Sequence, residues 1–305
     1  MFVLTNKLPY MLMIEKISDW EFKNAMKDTL VQPYQIIGGT LYRCRFFETE
    51  KVGYVFFDVH HTVSDGTSMK VFLGDVFKAF TGETMDKDYY YLMLKKREED
   101  ADSEFYEESR KYFEERTTEL NGAHPNIDHE SCSNDIGAIE ASLGIEQPQM
   151  NAVERAYKIS RNEFFITAAA LAISVYNVVN DVKLTWIYNG REDARSMNTV
   201  GLLFRDLPVA FRFNDSDVLR DAFADVHDQV GKGIEHCCYP YVEMNASQGL
   251  TSGEWSAYSI IGIFAIQTRL THSEYTLWTS AKIRLQRRTY WTFRYLTVPM
   301  GFSLR

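Results

Sequence analysis

"VHHTVSDGTSM", residues 59–69, sets two adjacent histidines four positions ahead of an aspartate and its following glycine. The run leading into it, "VGYVFFDVHH" at 52–61, is rich in β-branched and aromatic residues and predicts a strand. After Gly66 the period changes, because Met69, Phe72, Leu73, Val76, Phe77 and Phe80 recur at the spacing of one apolar helix stripe. The histidines therefore close a strand just ahead of a helix. Side chains alternate along a strand, so Tyr54, Phe56, Asp58 and His60 share one face while Val55, Phe57, Val59 and His61 share the other. Neighbours pointing opposite ways are badly placed to hold one metal ion together, and no metal is expected. His61 follows three apolar residues on its face and sits at the strand end, where a cavity can open. An imidazole, with an ordinary pKa of about 6.5, suits a general base at neutral pH. Asp65 caps the helix or accepts a bond from a buried cation, and Gly66 permits a tight backbone path. From the residues alone two readings stand: a catalytic His61, or a structural histidine and aspartate pair in a turn.

Outward from this stretch, residues 41–48 form the partner strand of a hairpin across a polar turn. Residues 88–120 are charged and helix-favouring, with Phe105, Tyr106, Tyr112 and Phe113 as an apolar edge and the charges as a solvated face. "NGAHPNIDHESCSNDIG" at 121–137 has the composition of a linker, which places a lobe boundary there: 1–122 for the first lobe, 123–305 for the second. Beyond it, 149–160 and 162–178 predict helices, the latter so apolar on every side that full burial is expected. The strand "VKLTWIYNGR", the segment "VGLLFRDLPVAFRF" and a helix with Leu219, Phe223, Val226 and Val230 at helical spacing follow. Strands and helices alternate in both halves, so the class is mixed α/β.

The chain has 305 residues, enough for two lobes each with its own core, and a net charge of −9 that argues against nucleic acid as a principal ligand. Cys44, Cys132, Cys237 and Cys238 show neither a disulfide framework nor zinc-knuckle spacing, which fits a reducing cytoplasm. No apolar stretch reaches the roughly 18 residues of a membrane span, and the N-terminus does not resemble an export signal, so neither membrane nor export is expected. From Phe264 onward seven basic residues face a single acid, Glu274, and this change of composition marks 264–305 as a divergent or damaged tail.

His60-His61-Thr62-Val63-Ser64-Asp65-Gly66 resembles the HHxxxDG signature of the condensation domains of nonribosomal peptide synthetases. Further stretches agree in order: the aromatic "DYYYLMLKKRE", the "NGR" ending at Arg191, and "VGLLFRDLPV" at 200–209, which is similar to the family's "GLFVNTLP". The resemblance covers about residues 1–263. It implies two chloramphenicol acetyltransferase-like lobes in a V arrangement, the N-terminal one incomplete here, with His61 in a tunnel between them. Donor and acceptor carrier-protein domains, in a synthetase that also holds adenylation domains, would each bring an acyl group on a 4'-phosphopantetheine arm, with no cofactor bound by the chain itself. The acceptor's amine attacks the donor thioester and a peptide bond forms. His61 would handle the amine's proton, Asp65 would be structural and pair with Arg191, His60 would pack, and Gly66 would allow close approach to the backbone.

The family's opening substrate-channel motif, its "RHExLRT"-like segment and its late "RDxSRNP" segment are missing, and Arg205 stands where the "GLFVNTLP" segment has asparagine. Weak or no activity is therefore expected of this chain alone. An epimerization domain, a CoA-dependent acyltransferase of the same fold, and an inactive carrier-binding remnant are the competing functions. Heterocyclization is disfavoured, because that branch replaces the histidines with aspartates. His236 with Cys237 and Cys238 makes a strained metal set at best, and the scattered tryptophans fit core or interface.

Overall fold

The computed structural model describes residues 13–24, 29–30, 32–118, 143–214, 216–247, 259–260, 271–272, 275–278 and 290–299. The expected linker at 121–137 lies outside the described residues. By its contacts the chain divides into two compact units, Met1–Met69 with Val200–Leu202 and Ala265–Arg305, and Lys70–Thr199 with Leu203–Phe264.

Among its described residues the first unit holds a sheet, a short helix and the histidine turn that leads into the next helix. The predicted hairpin forms as β2 (Tyr42–Glu48) and β3 (Val52–His60), antiparallel, with Arg43 directly opposite Asp58. Its turn is held by Thr49, whose hydroxyl donates to the Val52 carbonyl at 2.7 Å and accepts the Val52 N–H at 3.1 Å. β1 (Ile14–Lys16) runs parallel to β2. On its other side β3 pairs antiparallel with β9 (Tyr290–Pro299), which continues to β8 (Tyr275–Trp278) and β7 (Thr271–His272). The order is β1-β2-β3-β9-β8-β7, so β9 lies along the strand that carries His60. The alternation predicted for β3 holds as far as Asp58: Tyr54, Phe56, Asp58 and His60 are buried and Val55 and Phe57 less so, but Val59 on the other face is buried as well. Phe22 of α1 (Asp19–Asn24) stacks on Tyr54, and Phe47 and Phe56 complete this core.

α2 (Gly66–Thr81) follows the histidine turn. The charged run becomes two helices, α3 (Tyr90–Asp100) and α4 (Glu104–Thr118), with Tyr106 and Phe113 buried as its apolar edge. Next come α5 (Gln147–Tyr157), α6 (Arg161–Asn177), β4 (Asp181–Tyr188), α7 (Ala194–Met197), β5 (Arg205–Arg212), α8 (Leu219–Glu235), α9 (Tyr241–Ser247) and β6 (Ser259–Ile260). β4 lies between antiparallel β5 and parallel β6. β5 is outermost in this sheet as described, where Pro208 costs no ladder bond to a further strand. Its alternate residues Leu207, Val209 and Phe211 join Leu184, Trp186, Ile166 and Val226 in the second unit's core.

α6 departs from the sequence expectation. Ile166, Thr167, Ala170 and Ser174 are buried, but Val175 is 70% and Tyr176 60% exposed. A helix lying on one sheet buries one stripe only, and an apolar outer face does not supply a second layer to cover it.

Candidate functional site

The site is built from the end of β3, a 3-10 turn at His61–Val63, and the N-terminal cap of α2. Residue by residue, the local chemistry dictates this path. His60 leaves the strand in extended conformation and its Nδ1 accepts the Thr62 N–H at 3.2 Å, with Thr62 Oγ1 2.8 Å away. An imidazole nitrogen that accepts a backbone N–H is unprotonated, so His60 acts as a neutral cap of the turn. Burial pushes its pKa below the usual value, against the pull of Asp58.

Behind His60 lies a charged support that the sequence reading did not pick out. Arg43 Nη1 donates to Asp58 Oδ2 at 2.8 Å, its Nη2 donates to the Pro33 carbonyl, and its guanidinium lies 3.7 Å over the Tyr34 ring. Tyr34 meets the His60 ring edge-on at 5.5 Å. Asp58 has no exposed surface, and burial raises its pKa, opposed by Tyr34 and Arg43. The available signal was an aspartate two residues before His60 on a buried strand face, with an arginine across a short hairpin.

His61 is half-buried. Burial depresses its pKa foremost; a hydrogen bond to its own backbone and the nearby Asp65 act the other way, and His60 adds to the depression. A lowered pKa favours the neutral ring, the form in which an imidazole can take up a proton.

Asp65 is 4% exposed and caps α2. Its Oδ1 accepts the Ser68 N–H at 2.8 Å and lies 2.8 Å from Ser68 Oγ, which accepts the Asp65 N–H at 3.3 Å, a reciprocal capping box. Gly66 opens the helix, and a side-chain carbon added there would meet nothing within 4 Å, so the described surroundings leave space beside it. Ser68, with no exposed surface, also contacts both main-chain groups of Gly201. Neither Ser68 nor this contact was read from the sequence, although an aspartate followed three residues later by serine is a capping signature.

Arg191 belongs to the second unit, 3% exposed after β4. Its Nη1 donates to the carbonyls of Ser196 and, at 2.8 Å, Thr199, which ties together the loop around α7. The preceding Gly190 has φ 63°, and a side-chain carbon there would lie 1.9 Å from the Leu203 carbonyl oxygen, so the turn ahead of Arg191 requires glycine. His236 is stacked between Phe105 and Tyr112, with its Nδ1 3.1 Å from Ser109 Oγ, a packed environment. Among the described residues no helix is long and apolar enough to cross a membrane.

Comparisons with known proteins agree with the motif. A family model for the condensation domain matches residues 2–292, extending past residue 263 into the basic stretch. Gramicidin S synthase 1 of Brevibacillus brevis is 24% identical over 199 residues, 59% of this chain and 18% of that protein. Nonribosomal peptide synthetase sidC of Arthroderma benhamiae is 22% identical over 206 residues, 64% of this chain and 4% of that protein. The chain thus spans less than a fifth of the length of these two relatives. Among solved structures, the condensation domain of the monacolin K polyketide synthase MokA superposes with a TM-score of 0.60 at 15% identity, over 81% of this chain and 59% of that one. VibH, a condensation enzyme, gives a TM-score of 0.60 at 16% identity over 80% and 61%. At such identities the likeness speaks for the fold, the mixed α/β chloramphenicol acetyltransferase-like fold. With its HHxxxDG turn formed and the family match running over nearly its whole length, this chain belongs to the condensation-domain family.

Proposed function

We propose that the chain joins a donor acyl or peptidyl thioester to the amine of an acceptor aminoacyl thioester, both carried on phosphopantetheine arms of partner carrier proteins. Condensation domains are acyltransferases that form amide bonds. The observation that supports the reading is the place of His61: half-buried at the end of β3, in the HHxxxDG turn, with burial lowering its pKa and so favouring the neutral ring. The amine nitrogen attacks the thioester carbonyl, a C–N bond forms, and the C–S bond breaks. His61 takes the proton the nitrogen must lose and passes it to the departing thiolate. Thioester aminolysis is intrinsically favourable, so holding the two arms in line supplies much of the rate and His61 has a limited task.

The roles proposed for Asp65, Gly66, His60 and Arg191 are structural. In support, Asp65 caps α2 and Arg191 ties a loop through main-chain carbonyls. The pairing of Asp65 with Arg191 implied by the resemblance is a proposal that a double-mutant cycle tests; independent, additive effects would remove it.

The deciding experiment supplies the chain with acyl- and aminoacyl-loaded carrier proteins and follows the lengthened acceptor by mass spectrometry. Amide on the acceptor carrier supports the proposal. Inversion of one carrier-bound residue would make the chain an epimerase, product from acyl-CoA alone a CoA-dependent transferase, and carrier binding without product a recruiting domain.

A further inference from the structure

We infer that Ser68 is a positioning residue for the histidine turn: its hydroxyl fastens the cap of α2 to Gly201, so that the turn bearing His61 and the Val200–Leu202 segment are held as one piece. This rests on the reading of His61 as the proton acceptor in amide formation.

The geometry is specific. Ser68 Oγ lies 2.9 Å from the Gly201 nitrogen and 2.6 Å from the Gly201 carbonyl oxygen, across 133 residues of chain. The same oxygen lies 3.3 Å from the Asp65 nitrogen and 2.8 Å from Asp65 Oδ1. A hydroxyl has two lone pairs and one hydrogen. The two N–H groups fill the lone pairs, and the single hydrogen goes to the Gly201 carbonyl or to the Asp65 carboxylate. The hydroxyl is thus fully used, in a side chain with no exposed surface. Val200–Leu202 belongs to the same compact unit as the turn, while the chain on either side of it belongs to the other, and the Ser68 contact with Gly201 lies within that unit.

The consequence for His61 follows from the length of the turn. His60 is anchored at one end by the strand and by its bond to Thr62, and Asp65 at the other by Ser68. Only three residues lie between His61 and Asp65, so slack in the cap becomes displacement of the imidazole, and a displacement of about 1 Å at a reacting group can cost about 100-fold in rate.

The test compares the wild-type chain with Ser68→Ala and Ser68→Thr by three readouts: amide formation with loaded carrier proteins, hydrogen exchange at the Gly201 amide, and the NMR resonances of the His61 ring. Ser68→Ala is expected to lower kcat about 10- to 100-fold with KM for the acceptor carrier within about threefold, to speed Gly201 exchange at least about tenfold, and to shift the His61 ring resonances, while the β5 amides of Leu207 and Val209 keep their protection. Ser68→Thr, which restores the hydroxyl, is expected to recover most of the rate and the Gly201 protection. If Ser68→Ala does not fold, Ser68→Cys, which fills the space with a weak hydrogen-bonding group, takes its place with the same expectations. Unchanged Gly201 exchange, or an unmoved His61 ring, would overturn the inference. A wild-type chain that forms no amide would overturn the functional reading alone, since exchange and ring resonances still decide the role of Ser68.

Discussion

At the scale of the residue, the adjacent histidines carry different tasks because their backbones place them in different surroundings. His60 spends its Nδ1 on the turn, whereas His61 sits half-buried in the 3-10 turn, where burial lowers its pKa. Replacing His61 with alanine is expected to reduce amide formation about 100- to 10,000-fold, the range of a lost general base, measured with loaded carrier proteins. Because burial holds the His61 pKa below the ordinary 6.5, the acid limb of kcat/KM should fall below that value too, and a limb at or above 6.5 would count against His61 as the base. The same depression enters stability. The unfolded chain binds protons at His60 and His61 more readily than the fold does, so this part of the stability is present above 6.5 and is lost as pH falls through the lower folded values. Asp58, whose pKa is raised, works in the opposite sense, but only as pH approaches the carboxylate range. The urea midpoint is therefore expected to drop between about pH 7.5 and about pH 5.5, and to drop less in a His60→Gln, His61→Gln double variant.

At the scale of the element, glycine positions separate sharply by their surroundings. Gly190, at φ 63° against the Leu203 carbonyl, has no room for a side chain. Gly190→Ala is expected to cost more than about 2 kcal/mol in urea unfolding, since either the turn or the start of the segment leading to β5 must shift. Gly231 lies on the exposed face of α8, where an added carbon meets nothing within 4 Å. Gly231→Ala should stabilise the protein by about 0.5–1 kcal/mol and raise Tm, since alanine restricts the unfolded chain and favours the helix. The capping boxes of α6, from Ser160 and Glu163, and of α7, from Asp193 and Ser196, start those helices by the same local logic that Asp65 and Ser68 apply to α2.

At the scale of the whole molecule, the first unit's sheet draws on both ends of the chain. β3 pairs with β2 across a three-residue turn and with β9 across more than 200 residues, from Val52 opposite Pro299 to His60 opposite Tyr290 with a register shift between Val55 and Phe57. Such non-local pairing closes late in folding, after loop entropy has been overcome. A chain ended at residue 264 leaves that edge of β3 unpaired, immediately beside the histidine turn. It is expected to self-associate, with light scattering that grows with concentration, and to lose amide formation; a monodisperse, active truncated chain would show that β9 is dispensable.

Much of the site was legible in the sequence because it is local. The alternation from Tyr54 to Asp58, the change of period at Gly66, and the capping position of Asp65 each depend on residues within a few positions of one another, and the backbone periods of strand and helix translate that spacing directly into faces. The resemblance to condensation domains rests on the same contiguous residues. Tertiary structure alone decided that Arg43 meets Asp58 beneath His60, that Ser68 holds Gly201, that β9 lies beside β3, and that the outer face of the apolar helix α6 stays exposed. In each of these cases the partner is set by which surfaces pack together, and hydrophobic burial reports how much a residue prefers to be covered without naming what will cover it.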